Sequence, residues 1–277
     1  MILKFGTIQI LLICHLCNYL CGQNLKFICI VTSNQMSGDK TIVIHQGWGG
    51  LGDNLQFSTL PELYSGLGYK VYISDKNAYR NPEIYDLVWK LNPYIEGISG
   101  AEPNAGGCKG YFQRPMDFIS EIEYNHGLSG YRKYPVVYYK PTLIPELSNT
   151  LLYDLTSVSE NPDDTQINFS FETVFNKYPD LSIKKLQFEK IGNKETSYFN
   201  HDTYIIKSIY DLCDVIYSCK VFVCLFSGAA VLASAIKQDA SSPEIYCFHH
   251  PNFINNPVYK FNNIRYSALL NFASHPS

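Results

Sequence analysis

What this sequence lacks narrows its function before any motif is read. No stretch reaches the ~18 uninterrupted apolar residues of a clean membrane span. Neither sign of charge prevails, since 22 Lys and Arg against 25 Asp and Glu leave a net charge of -3. That argues against a nucleic-acid binder driven by bulk electrostatics. The signatures of several chemistries are also missing. No glycine loop carries the Lys-Ser/Thr of a P-loop, and no G-x-S-x-G elbow marks a serine hydrolase. No D-x-D triplet follows a strand, and no Cys/His set has convincing zinc spacing. Internal repeats and low-complexity tracts are absent as well.

What is present points to a folded, cored protein. Hydrophobic residues make up 46% of the chain and charged residues 17%, which is neither a disordered nor a fibrous composition. A length of 277 residues fits one large domain or two small ones at ~150 residues each. Residues 1–35 stand apart. Met1–Cys21 has an early Lys and then a mostly apolar stretch. It reads as a secretory signal with a poor cleavage site, as a weak anchor, or as an extension that the fold does not use, with Met36 an alternative start. Cys14, Cys17 and Cys21 lie in that apolar setting, where a metal site lacks a fourth ligand and a polar shell. Cys29, Cys108, Cys213, Cys219, Cys224 and Cys247 read as scattered, buried free thiols of a reducing compartment.

From Thr41 onward, strands and helices alternate. Thr41–His45, Tyr69–Ser74 and Ile95–Ile98 read as strands, with helices over Asn54–Ser65 and Asn81–Leu91 between them. Pro61 marks a kink or a restart in the first helix; Asn81 caps the second and Pro82 opens it. Ser99–Lys109 reads as a loop, Pro115–Asn125 as a helix, Pro135–Lys140 as a strand and Pro141–Ser148 as a linker. In the second half, Leu151–Ser159, Leu186–Ile191, Lys220–Leu225 and a closing Glu244–Phe248 read as strands. Asn168–Tyr178, Ile205–Ser218 and Ser227–Lys237 read as helices. The expected fold class is α/β, with two alternating halves divided near residues 141–150.

Two segments carry chemistry. Gly47-Trp48-Gly49-Gly50-Leu51-Gly52-Asp53-Asn54 lies between a strand and a helix. Glycines there permit a sharp turn and a close approach to the main chain. The helix start offers free N–H groups, and Asp53 or Asn54 can also serve as an ordinary cap. In the second segment the apolar strand Val221–Leu225 runs through Phe226 into Ser227-Gly228-Ala229 and a helix of small residues. Ser227 can cap that helix, and Gly228 lets backbone N–H groups face an anion such as a diphosphate. Tight helix–sheet packing explains the same small residues. Thr156 and Ser157, at the end of a strand, are weaker candidates for a phosphate contact.

Residues 49–63 (Gly-Gly-Leu-Gly-Asp-Asn-Leu-Gln-Phe-Ser-Thr-Leu-Pro-Glu-Leu) resemble the opening of heptosyltransferase-like glycosyltransferases, glycosyltransferase family 9. Ser208–Ala235 resembles that family's later helix–strand–Ser/Thr-Gly–helix segment. The resemblance implies a GT-B-like fold: two Rossmann-like, doubly wound domains facing across a cleft, with an N-terminal acceptor domain at 36–145 and a C-terminal donor domain at 146–277. It implies inverting sugar transfer from a nucleotide-sugar donor to a glycan or glycolipid acceptor, with no metal and no cofactor. By motif, Asp53 matches the family's general base. Gly49, Gly50, Gly52 and Asn54 would shape and line its loop. Ser227, Gly228 and Ala229 match the donor-diphosphate loop, and Thr156 and Ser157 lie near the donor phosphates. Two positions depart from the family. Phe226 stands where Asp usually precedes Ser/Thr-Gly, and Val231 where His usually follows. The alternative is a silent member that binds a nucleotide sugar or glycan without transfer. The expected location is the cytoplasm, with peripheral membrane association left open, or the secretory pathway if residues 1–35 act as a signal or anchor.

Overall fold

Strand β1, Thr41–His45, is a β-branched run with Ile42, Val43 and Ile44 buried. It lies at the centre of a four-stranded parallel sheet in the order β3-β2-β1-β4. Its neighbours are β2 at Lys70–Ser74 and β4, a two-residue strand at Ala105–Gly106; β3 at Gly97–Ser99 lies outside β2. The computed structural model of the protein describes residues 40–106, 116–128, 130, 132–157, 164–189, 199–237, 243–251 and 261–270. Cys14, Cys17, Cys21, Cys29, Cys108 and the expectations on residues 1–35 lie outside these.

The helices of the first half follow local chemistry. Pro61 marks a restart rather than a kink: α1 spans Leu51–Gln56, a turn intervenes, and α2 spans Leu60–Gly66 with the proline in its first turn. A proline is tolerated there because its missing N–H would have no helical partner. Asn81 caps α3, Pro82–Tyr85, by accepting from the Glu83 N–H at 3.0 Å. The chain then widens into a π-helical turn at Asp86–Lys90. Helix α4, Phe118–Asn125, is capped by Asp117.

The second half builds a six-stranded, wholly parallel sheet in the order β10-β9-β8-β5-β6-β7. Its strands are β5 (Thr150–Asp154), β6 (Ser182–Phe188), β7 (Asp202–Ile206), β8 (Val221–Leu225), β9 (Glu244–His249) and β10 (Arg265–Ala268). This is the doubly wound order, which reverses between β5 and β8. Both central strands are buried along their whole length, as a sheet covered on two faces requires. The helices are α5 (Asp164–Phe175), α6 (Ile209–Ser218) and α7 (Gly228–Ile236). Cys213, Cys219, Cys224 and Cys247 are buried free thiols.

Three local readings are corrected. Pro135–Lys140 forms no strand; it runs over the first half, and the Val136 N–H bonds to Ser58 Oγ at 2.7 Å instead of to a ladder. The helix expected at Ile205–Ser218 starts only at Ile209. Ser208 caps it by accepting from the Asp211 N–H, and the preceding apolar residues belong to β7. Glu244–Phe248 does not close the sheet, because β10 adds outside it.

The described residues fall within one compact unit, Asp39–Ser277. The segment joining the sheets is strapped to α6. Asp214 Oδ1 accepts from the Tyr139 hydroxyl at 3.0 Å and the Thr142 N–H at 2.8 Å, and the Ile144 N–H bonds to Ser218 Oγ at 2.8 Å. From the first half, Glu83 accepts the Ile209 N–H at 2.7 Å, at the first turn of α6. Among the described residues no helix is long and apolar enough to cross a membrane.

Candidate functional site

The site is built where both sheets end. In the first half, β1 runs into Gln46 and the glycine loop, and α1 begins at Leu51 with Gly50 as its cap residue. None of the loop glycines lies in the left-handed region; among the described glycines only Gly68, Gly97 and Gly127 have positive φ. No left-handed backbone requires these glycines; at Gly49, Gly50 and Gly52 the space around the Cα does. A Cβ on Gly50 would stand 2.5 Å from Asp53 Oδ2. That room lets the Asp53 carboxylate fold back and accept the Gly50 N–H at 3.2 Å, half of a capping box. On Gly49 a Cβ would stand 3.2 Å from both the backbone N and Cγ of Arg80, whose N–H donates to the Gly49 carbonyl at 2.9 Å.

Asn54 is fully buried beneath this loop. Its Nδ2 donates to the carbonyls of Trp48 at 3.2 Å and Gly50 at 2.9 Å, and its Oδ1 accepts the Trp89 indole N–H at 2.8 Å. Both amide donors are thus spent on holding the loop. Asp53 is only partly buried. Burial pushes its carboxyl above the ordinary carboxylate range, against the opposing pull of the Gly50 N–H and the Arg80 guanidinium.

In the second half, the reversal of strand order brings the ends of β5 and β8 side by side, the place where open α/β sheets bind ligands. Asp154, the last residue of β5, is fully buried. Its Oδ1 accepts from the Thr156 N–H at 2.8 Å and the Thr156 hydroxyl at 2.6 Å, while its Oδ2 has no partner. Burial pushes its pKa up to about 6, and the two bonds from Thr156 resist that rise. The Ser157 hydroxyl donates to the Phe226 carbonyl at 3.0 Å, tying the β5 loop to the β8 loop. Ser227 is extended and caps α7, its Oγ accepting the Ala229 N–H at 3.3 Å.

These two constructions meet. A Cβ on Gly52 would stand 3.2 Å from Gly228 Cα and from Val231 Cγ2, and a Cβ on Gly228 would stand 3.0 Å from the Gly52 N. Helices α1 and α7 therefore start against each other. Gly52, between Gly50 and Asp53 in the chain, meets Gly228, between Ser227 and Ala229; Ser157 adjoins through the Phe226 carbonyl, and Thr156 is held by Asp154. Val231 packs against Gly52. Gly47, Gly49 and Gly52 stand at the G-x-G-x-x-G spacing of a dinucleotide turn. The structure does not support that use: Gly228 lies against the Gly52 N, and the Gly50 N–H is already held by Asp53. Reading residues for local motifs missed Arg80, Trp89 and Asp154. Each acts through a neighbour distant in sequence or through a turn, and no spacing rule announces it.

No family model matches the chain, and neither does any curated protein. Solved structures do. The iron-containing dodecameric glycosyltransferase TibC of enterotoxigenic E. coli is 13% identical with a TM-score of 0.57, over 86% of this chain and 64% of TibC. A glycosyl transferase family 9 protein of Veillonella parvula is 10% identical with a TM-score of 0.57, over 87% of this chain and 89% of that one. The E. coli heptosyltransferase WaaC, solved with ADP, is 8% identical with a TM-score of 0.50, over 82% and 93%. The chain thus spans less than two thirds of the length of TibC. At these identities the likeness is one of fold: this chain has the α/β architecture, two Rossmann-like parallel sheets, of those glycosyltransferases.

Proposed function

We propose that the protein is an inverting glycosyltransferase that moves a sugar from a nucleotide-sugar donor to a glycan or glycolipid acceptor without a metal ion. The observation that carries this reading is the meeting of Gly52, the residue before Asp53, with Gly228 at the start of α7, at the ends of both sheets. In the proposed reaction, Asp53 takes the proton from the acceptor hydroxyl as that oxygen attacks the anomeric carbon. The bond from that carbon to the diphosphate oxygen breaks, and the leaving charge faces the backbone N–H groups of Ser227 and Gly228. Burial raises the Asp53 pKa, which makes the carboxylate a better proton acceptor near neutral pH. The acceptor belongs to the half at 36–145 and the donor to the half at 146–277. ADP-heptose is bound by TibC in one solved complex.

A second reading, nucleotide-sugar or glycan binding without transfer, is favoured by Val231. Its methyl group lies against Gly52, at the position where the resembled family carries a histidine. One experiment separates the two. The full chain is screened by thermal shift against ADP-, GDP-, UDP-, CMP- and dTDP-sugars with EDTA present. Bound donor at ~100 times its dissociation constant stabilises by about 2.7 kcal/mol. The hit is then assayed for transfer to an acceptor panel. Transfer that Asp53→Asn lowers by at least about a hundredfold, with donor stabilisation retained, supports the enzyme. Undiminished turnover in that variant removes Asp53 as the base. Binding without transfer supports the silent reading; no donor binding from the folded chain overturns the enzyme and leaves glycan binding, which the same thermal shift with the acceptor panel then tests.

A further inference from the structure

The structure assigns Trp89 as a positioning residue for Asp53, acting through Asn54. This rests on the reading of Asp53 as the base. Trp89 lies on the π-helical turn Asp86–Lys90 and is fully buried. Such turns are rare, and many occur at functional sites. The indole N–H is a donor only, so its 2.8 Å bond to Asn54 Oδ1 decides which way round the Asn54 amide sits. With Oδ1 committed to Trp89, Nδ2 must face the loop, where it donates to the Trp48 and Gly50 carbonyls. The Gly50 carbonyl also accepts the Asn54 N–H at 3.1 Å. On its other side, the Gly50 N–H is the group onto which the Asp53 carboxylate folds. Gly50 is therefore held at both ends, one end by the Trp89–Asn54 pair and the other by Asp53 itself. A phenylalanine at position 89 keeps most of the ring volume but has no donor. The Asn54 amide then loses its orienting bond, and the loop that aims Asp53 loses its fixed partner.

The test compares Trp89→Phe with Leu87→Ala in the full chain. Leu87 is a fully buried apolar residue of the same turn, so its truncation loosens the core without touching the amide. Both variants are measured at a temperature where circular dichroism shows them folded. The expected result is a fall in kcat of at least about tenfold for Trp89→Phe with donor KM held within about twofold, because small misplacements of a catalytic group act on the chemical step. Leu87→Ala keeps its kcat despite an equal or larger loss of Tm. A second readout needs no turnover: exchange of the Asn54 Nδ2 protons and titration of the Asp53 carboxyl, both by NMR. Faster exchange and a moved titration midpoint in Trp89→Phe alone are expected. If both stay as in the wild type, or if Leu87→Ala lowers kcat equally, Trp89 is no positioning residue. If the wild type itself transfers no sugar, the enzymatic reading falls, and the NMR pair still decides whether Trp89 orders the loop.

Discussion

Asp154 shows how one buried carboxylate can set a pH dependence for the whole fold. Its pKa, pushed up to about 6 by burial, lies above the ordinary 3.8. A raised carboxyl pKa favours the folded state at low pH. That contribution is full below about pH 4 and is lost as the pH rises through about 6. The charged form is therefore a burden at neutral pH, of at most about 3 kcal/mol for a shift of this size. Asp154→Asn keeps an oxygen for the two Thr156 donors and removes the charge, but it leaves an amide N–H unpaired at a cost of about 1–2 kcal/mol. The variant is expected to unfold in denaturant about 1–2 kcal/mol later than the wild type at pH 8. It should have no advantage at pH 4. An advantage that does not change with pH would mean that the charge at this position does not govern stability. The Cys224 thiol is the register partner of Asp154 on β8, and burial holds it protonated throughout this range.

Between elements, the decisive contact is that of α1 with α7. Gly228 is the first residue of α7, where helix propensity alone favours alanine by up to about 1 kcal/mol. The packing opposes this. A Cβ there would stand 3.0 Å from the Gly52 N and 3.1 Å from Leu51 Cβ, and a backbone nitrogen in the first turn of a helix cannot yield as a flexible side chain can. Overpacking of this kind costs about 1–3 kcal/mol. Gly228→Ala is thus expected to lower stability by about 1–2 kcal/mol net and to weaken donor binding, because it pushes apart the two helix starts that frame the site. A denaturation midpoint at or above that of the wild type would show that the helices can separate without penalty.

At the scale of the molecule, the two sheets are joined by polar ties as well as by apolar packing. Glu83, from the first half, accepts the Ile209 N–H of α6, where a carboxylate also meets the positive end of the helix. Asp214 on α6 in turn holds the strap at Tyr139 and Thr142. Glu83→Ala removes a charge-assisted bond and leaves a helix N–H open, which should cost about 1 kcal/mol. The more telling measurement is hydrogen exchange. The Ile209 amide is expected to lose protection, and amides of the α1–α7 contact should exchange faster with it. If only Ile209 responds, the tie is local and does not help hold the halves together. The chain has two tryptophans, Trp48 in the glycine loop and Trp89 beneath it. Its intrinsic fluorescence therefore reports on this region in each of these variants.

Much of this protein is decided by its sequence alone, because the deciding interactions lie within a few residues of each other. β-branched or apolar runs made β1, β2, β5 and β8 readable, and caps at Asn81 and Ser227 and a proline in a first helical turn set the helix starts. The two glycine-bearing loops were legible from their place between strand and helix. Only the tertiary structure decided what those residues are for. Asn54 reads as a cap or a ligand contact until Trp89 is seen behind it, and the loop glycines read as turn formers until Asp53, Arg80 and α7 are seen in the space they leave. β4, inside the expected loop Ser99–Lys109, and β7 and β10 escaped notice because a short edge strand differs little in pattern from a helix approach or a loop, and Pro135–Lys140 looked like a strand because its apolar residues cover a core instead of joining a sheet. Periodicity and turn chemistry are local free energies written into neighbouring residues. The fit of Gly52 against Gly228 is a contact between distant parts of the chain, and it exists only once both sheets have formed.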